Sequence, residues 1–101
     1  MADPRSESSR WAASPLADLA WRSWGDDYVA FESRSGQLVE LSVLGAATMA
    51  CLEERPGTIA ELAEALAADL GQAVDAEFLA AVEQTVLQFR RLGWVEAIIH
   101  R

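Results

Sequence analysis

The residue types that carry most enzyme chemistry are scarce in this chain. It has one histidine, His100, beside the C-terminus, and one cysteine, Cys51. Catalytic dyads and metal sites both need positioned partners, and neither residue has a second histidine or cysteine to work with. We therefore expect His100 to be a solvated tail residue. We expect Cys51 to be a small, buried, apolar residue on a helix face.

Two pairs of adjacent carboxylates, Asp26-Asp27 and Glu53-Glu54, are the other candidates for chemistry. Paired carboxylates perform acid-base catalysis only when their surroundings drive their pKa values apart. We expect the first pair to lie in a turn and the second near a helix end, where both stay solvated. The six glycines occur singly, which excludes a phosphate-binding loop, and one cysteine excludes a four-cysteine zinc site. These patterns predict a protein that is not an enzyme and that holds no metal or cofactor.

Composition and charge exclude further classes of function. The chain has 101 residues, of which 51% are hydrophobic and 24% charged, as in a single folded domain. Eight basic residues, all arginine, oppose sixteen acidic ones, giving a net charge of −8. Nucleic acids and anionic membranes are bound by basic surfaces, so we expect neither as a partner. No apolar stretch is long enough for a signal peptide or a membrane span, and we predict a cytoplasmic protein.

A flexible N-terminal segment, residues 1–15, is expected to precede a folded domain at residues 16–99. The segment is polar and contains two prolines, and Trp11 is its expected exception. Three apolar runs separated by Gly, Asp and Ser then predict a three-stranded antiparallel meander. The runs are Leu19 to Trp24, Tyr28 to Glu32 and Gln37 to Leu41.

Alternation along the strands assigns their faces. We predict that one face supplies core residues and that the opposite face points away from the core. The predicted core residues are Val29, Phe31, Val39 and Leu41, and the predicted outward residues are Tyr28, Glu32, Leu38 and Glu40.

From Ser42 onward the apolar period changes from two to about 3.6, which predicts three helices. Ser42 is the expected N-cap of the first, and Thr58 with Glu61 forms a capping box for the second. Asp75 is the expected N-cap of the third, and Gly93 its C-terminal glycine. Residues 94–99 are expected to add a short strand or to pack as a tail. The element order predicts an α+β, winged-helix-like fold with a three-stranded meander followed by three α-helices.

The third strand of the meander, Gln37 to Leu41, has one predicted neighbour and therefore one open edge. Proteins usually protect such edges with charges or proline, yet Glu40 is the only charge here. An open edge is typical of a site where an extended peptide adds as a further strand. The alternatives are that residues 94–99 or a second copy of the chain fill the edge.

Several segments resemble the PqqD-like peptide chaperones, in the branch that belongs to the HPr-rel-A system. They are WRSWGDDYVAF at residues 21–31, SG at 35–36, Leu41, LGAA at 44–47, TIAELA at 58–63 and FRRLGWV at 89–95. The resemblance extends over about residues 11–97, and the tryptophan-rich first strand is its most distinctive part.

This resemblance implies a RiPP recognition element, a domain that binds the leader of a ribosomally synthesised precursor peptide and presents it to a modifying enzyme. In that family the leader pairs with the third strand and lies against the third helix. The positions that match are Gln37, Leu38, Val39, Glu40 and Leu41 on the strand and Leu79, Val82, Glu83 and Val86 on the helix. The chain departs from the branch at Val39, where a histidine is frequent, although backbone pairing does not depend on that side chain. The implied partners are the precursor leader and a modifying enzyme or an HPr kinase-like protein encoded nearby.

Two other functions fit the predicted fold. A winged-helix DNA-binding regulator would need basic or amide side chains on the outer face of the third helix. That face offers Glu77, Gln84, Gln88 and Arg91 in a chain of net charge −8. The other alternative is a structural domain that forms a homodimer through its edge strand.

Overall fold

The structure, a computed structural model, describes residues 9–25 and 27–98. Within these residues the elements are β1 (Arg10–Ala13), β2 (Leu19–Trp24), β3 (Asp27–Glu32), β4 (Gln37–Leu41), α1 (Val43–Glu54), β5 (Gly57–Thr58), α2 (Ile59–Leu70), α3 (Ala76–Arg91) and β6 (Val95–Ile98). The predicted α+β fold, with a three-stranded meander before three helices, is confirmed. Asp26 and His100, two of the residues considered above for chemistry, lie outside the described residues.

The meander forms the first sheet, in the strand order β2-β3-β4. Both of its connections are antiparallel hairpins. Gly36 precedes β4 with a φ of 73°, a left-handed conformation that glycine adopts without steric cost. The hairpin signals in the sequence therefore place all three strands correctly, with β3 beginning one residue earlier than predicted.

The inner face of this sheet differs from the prediction at β3. Val39 and Leu41 do face inward and are half-buried, but Val39 pairs with Ala30, which is completely buried. Directly paired residues share a face, so Val29 and Phe31 lie on the outer face, and Phe31 is 40% exposed. The prediction was wrong because it placed the larger apolar side chains inside. Helix α1 packs against β3, and the small Ala30 is the β3 residue that belongs to the apolar core.

A second sheet has the strand order β5-β1-β6, and its central strand β1 was not predicted. Its residues lie in the segment expected to be flexible, yet Arg10–Ala13 pairs along its length with β6, and Trp11 is 0% exposed. Trp11 was the expected exception in this segment. Burial of its indole in the core keeps the adjacent residues of β1 in the sheet. Residues 1–8, with which this segment begins, lie outside the described residues.

The helix ends follow the predicted capping chemistry. The side chains of Ser42, Thr58 and Asp75 each accept a hydrogen bond from the backbone N–H three residues later. After α3, the N–H of Trp94 donates to the carbonyl of Phe89 at 3.0 Å and that of Gly93 to the carbonyl of Arg90 at 3.0 Å. This is the Schellman arrangement, in which Gly93 with φ 80° reverses the chain into β6.

One apolar core lies between the helices and both sheets. Its largest fully buried side chains are Trp11, Trp94, Phe89, Met49, Leu66, Val82 and Val86. The rings of Phe89 and Trp94 are stacked with their centroids 5.6 Å apart, which couples the end of α3 to the start of β6. The core thus ties the second sheet to the helices.

Replacing Trp11 by alanine tests the importance of β1. Because Trp11 is completely buried, we expect Trp11→Ala to lower the free energy of unfolding by about 3–5 kcal/mol, measured by urea denaturation. Val74→Ala, at an exposed loop position, is the control and should change it by less than about 0.5 kcal/mol. Equal stability of the two variants would show that β1 does not contribute to the fold.

Candidate functional site

The outer edge of β4 is the candidate site. Strand β4 pairs with β3 on one side, and in the described part of the chain no strand pairs with its other side. The C-terminal strand β6, an alternative occupant of this edge, pairs instead with β1. Residues 95–98 therefore pair with β1 and not with β4. The backbone groups on the outer side of β4 have no strand partner within the described residues.

The side chains of β4 alternate between two different surroundings. Val39 and Leu41 face inward against the core. Gln37 lies on the same face of the sheet, paired with the buried Glu32, but its side chain is exposed. Leu38 faces outward opposite Phe31 and is 68% exposed. Glu40 is exposed on the same outer face. A strand paired with this edge would meet an apolar inner side and a partly charged outer side.

Glu32 fixes the start of this edge. Its carboxylate is buried and accepts backbone N–H donors from Asp18 at 2.8 Å, Ser35 at 2.8 Å and Arg34 at 3.3 Å. These bonds join the β3–β4 turn to the segment before β2. The Asp18 N–H has the largest effect and, with the other donors, outweighs burial and lowers the pKa of Glu32 to about 2.

Glu32 was predicted to point outward, and alternation along the strand did not indicate this role. The signal that could have revealed it is an acidic residue directly before the Ser33-Arg34-Ser35-Gly36 turn. Carboxylates in this position commonly accept the free N–H groups of a turn.

The predicted positions on α3 divide into two groups. Val82 and Val86 are completely buried in the core, while Leu79 and Glu83 are half-buried and present part of their surface. Residues from the end of β4 and from α3 both lie near Gly45 of α1. A Cβ atom at Gly45 would lie 3.7 Å from the Cβ of Leu41 and 3.6 Å from Cζ of Phe89. Phe89, which was not among the predicted site residues, therefore lies beside Gly45, as does Leu41 at the end of β4.

A cleft of about 370 Å³ lies at the other end of β4, beside Gln37. Three segments meet there: the stretch before β2, the β3–β4 turn and the residues after α3. Its lining residues are Leu16, Ala17, Glu32, Arg34, Ser35, Gln37, Leu92, Gly93 and Trp94. Arg34 holds two of these segments together by donating from Nη1 to the carbonyl of Leu16 at 3.2 Å. Such a cleft can accept a side chain from a strand added to the edge.

A larger cleft, of about 720 Å³, lies between the end of α1, β5 and α2 and contains no residue of β4 or α3. Cys51 lines it, half-buried, with a pKa raised by burial and by the nearby Asp69 and Glu54 carboxylates. The thiol is therefore protonated at neutral pH, and a protonated thiol is a poor nucleophile. Cys51 packs against the core from its helix face, as predicted, although it is half-buried where a buried residue was expected.

The remaining carboxylates form no candidate metal site in the described part of the chain. No group of three or more His, Cys, Asp and Glu side chains there could hold a metal ion. Burial raises the pKa of Glu53, opposed by the neighbouring Trp21 side chain. No helix among the described residues is long and apolar enough to cross a membrane.

The depressed pKa of Glu32 predicts a pH dependence of stability. A carboxyl with a lower pKa in the folded state stabilises the fold above its unfolded value of 4.5, and this contribution is lost as the pH falls toward about 2. We expect Glu32→Gln to be less stable than the parent at neutral pH, and the difference to shrink below pH 4.5. Urea denaturation across this range measures it, and a difference that does not change with pH would contradict the assignment.

Comparison with known proteins finds one similar solved structure and no similar sequence family. No family model matches the chain, and no curated protein matches it. The structure of TbiB1 in complex with the TbiA(beta) leader peptide is similar with a TM-score of 0.66 and 18% sequence identity. The match covers 88% of this chain and 99% of TbiB1. At this identity the likeness shows that the two chains share a fold.

Proposed function

We propose that this chain is a non-catalytic peptide-binding domain that captures the leader of a ribosomally synthesised precursor peptide and presents it to a modifying enzyme. The observation that carries the proposal is the open outer edge of β4. An extended peptide that pairs with it would gain backbone hydrogen bonds from the edge and specificity from its alternate side chains.

The shared fold with TbiB1 supports this function, because that structure contains a leader peptide. We assign the chain to the PqqD-like chaperones, in the HPr-rel-A branch, on the motif residues of β2, β3 and the helices. On this assignment its fold is of the winged-helix kind, and its partner is a modifying enzyme or an HPr kinase-like protein encoded nearby.

The proposed peptide-binding positions are those of the resemblance, except that two of the four on α3 are buried and cannot touch a peptide. Backbone pairing uses Gln37, Leu38, Val39, Glu40 and Leu41. On α3, Leu79 and Glu83 have exposed surface that a peptide can touch, whereas Val82 and Val86 support the helix from inside the core. The replacement of a histidine by Val39 does not affect this mode of binding, since the backbone carries the hydrogen bonds.

An amide NMR titration tests the proposal. The labelled protein is titrated with synthetic peptides that cover the short open reading frames encoded beside its gene, and with random duplex DNA as a control. We expect one of the peptides to shift the amides of residues 37–41 and of the exposed part of α3. We expect no shifts from DNA, because the outer face of α3 carries Glu77 and the chain has a net charge of −8.

Two outcomes would contradict the proposal. Shifts along α3 with DNA would favour a DNA-binding regulator. Absence of any peptide response, with the amides of β4 already protected in the free protein, would show that the edge is filled. A concentration series in sedimentation would then identify a homodimer through β4.

Proline substitutions at neighbouring positions locate the binding edge. Successive residues of a strand direct their N–H groups to opposite sides, so one of Leu38 and Val39 donates toward β3 and the other toward the open edge. Of Leu38→Pro and Val39→Pro, we expect one to weaken the fold and the other to fold but lose peptide binding. Thermal unfolding and the peptide titration measure both properties. Retained affinity in the variant that folds as stably as the parent would exclude β4 as the binding edge.

A further inference from the structure

The register of the first sheet specifies where each side chain of an added strand would lie. Directly paired residues of neighbouring strands have their side chains on the same face of a sheet. A residue paired with Gln37 would therefore point inward, on the face that carries Glu32 and Val39. A residue paired with Glu40 would point outward, on the face of Val29 and Leu38.

The inward position beside Gln37 lies at the cleft formed by the three converging segments. Its walls are apolar on two sides, from Leu16 and Ala17 before β2 and from Leu92 and Trp94 after α3. Leu16 is 69% exposed, so a side chain that enters the cleft would remove apolar surface from water. The volume of about 370 Å³ admits the largest side chains.

The outward position opposite Glu40 favours a positive charge. Glu40 is exposed, and its pairing partner on β3 is the uncharged Val29. Among the described residues no cation forms an ion pair with its carboxylate. Opposite charges directly across a pair of strands attract, whereas an acidic residue there would be repelled.

We propose that the peptide captured by β4 carries a bulky apolar side chain opposite Gln37 and an arginine or lysine opposite Glu40. This inference rests on the proposed function and names the class of peptide that it binds. Gln37 and Glu40 are three positions apart, so the two peptide residues are also three positions apart. Their order gives the direction of the strand: the basic residue comes first in an antiparallel addition and second in a parallel one.

Selection from a displayed library of random peptides of about ten residues, the length of a long strand, tests the inference. The selection uses the full chain and, as a reference, the folded proline variant that lacks the outward N–H. We expect enriched peptides to contain a basic and a bulky apolar residue three positions apart. In a synthetic representative, replacing the apolar residue by alanine should weaken binding about ten-fold. Replacing the basic residue by glutamate should weaken it about two- to five-fold.

Two substitutions in the protein test each contact separately. Glu40→Lys should reverse the charge preference, so that the glutamate-containing peptide binds more tightly than the arginine-containing one. Glu96→Lys, an exposed change of equal charge on the other sheet, is its matched control and should leave the preference unchanged. Gln37→Trp should fill the cleft and abolish the preference for a bulky apolar residue, while Gln72→Trp, in an exposed loop, should not.

The outcomes separate this inference from the proposed function. Enriched peptides that bind the parent but not the proline variant, and that lack the spaced pair, would overturn the inference and leave peptide capture in place. A charge preference that does not respond to Glu40→Lys would also overturn it. Equal enrichment on the parent and the proline variant would overturn both proposals.

Discussion

The pairing of β6 with β1 is the constraint on which the rest of this structure depends. A strand has hydrogen-bonding groups on two sides, and each edge must be paired, covered or left open. The burial of Trp11 places β1 in the centre of the second sheet, where β6 and β5 take its two sides. Strand β6 is thereby removed from the meander, and among the described residues no strand pairs with the outer edge of β4.

An open edge is useful for recognition only if it is held rigidly, and two features hold this one. At its start, Glu32 gathers three backbone N–H groups and joins the turn before β4 to the segment before β2. At its end, Leu41 packs against the apolar core. Both features hold β4 in place, and a strand held in this way would pair with a flexible peptide at a lower entropic cost.

The sequence predicts the parts of the fold that rest on local chemistry. Ser42, Thr58 and Asp75 cap their helices as expected, and the hairpins of the meander follow from their turn residues. Strand β1 was missed because its partners are remote in sequence: Arg10 pairs with Ile98 and with Thr58. The inner face of β3 was misassigned because hydrophobicity favoured Phe31 over Ala30, whereas packing against α1 selected the smaller residue. The cleft beside Gln37 could not be predicted, since it is formed by three separate segments.

Amide hydrogen exchange along β4 in the free protein tests the central claim most directly. If the outer edge is open, the amides of Gln37 to Leu41 will alternate: those directed at β3 will exchange slowly, and those directed outward will exchange at rates close to those of solvated amides. Addition of a bound peptide will slow the outward amides. Slow exchange of all five amides in the free protein would contradict the account, because it would mean that the edge is already paired.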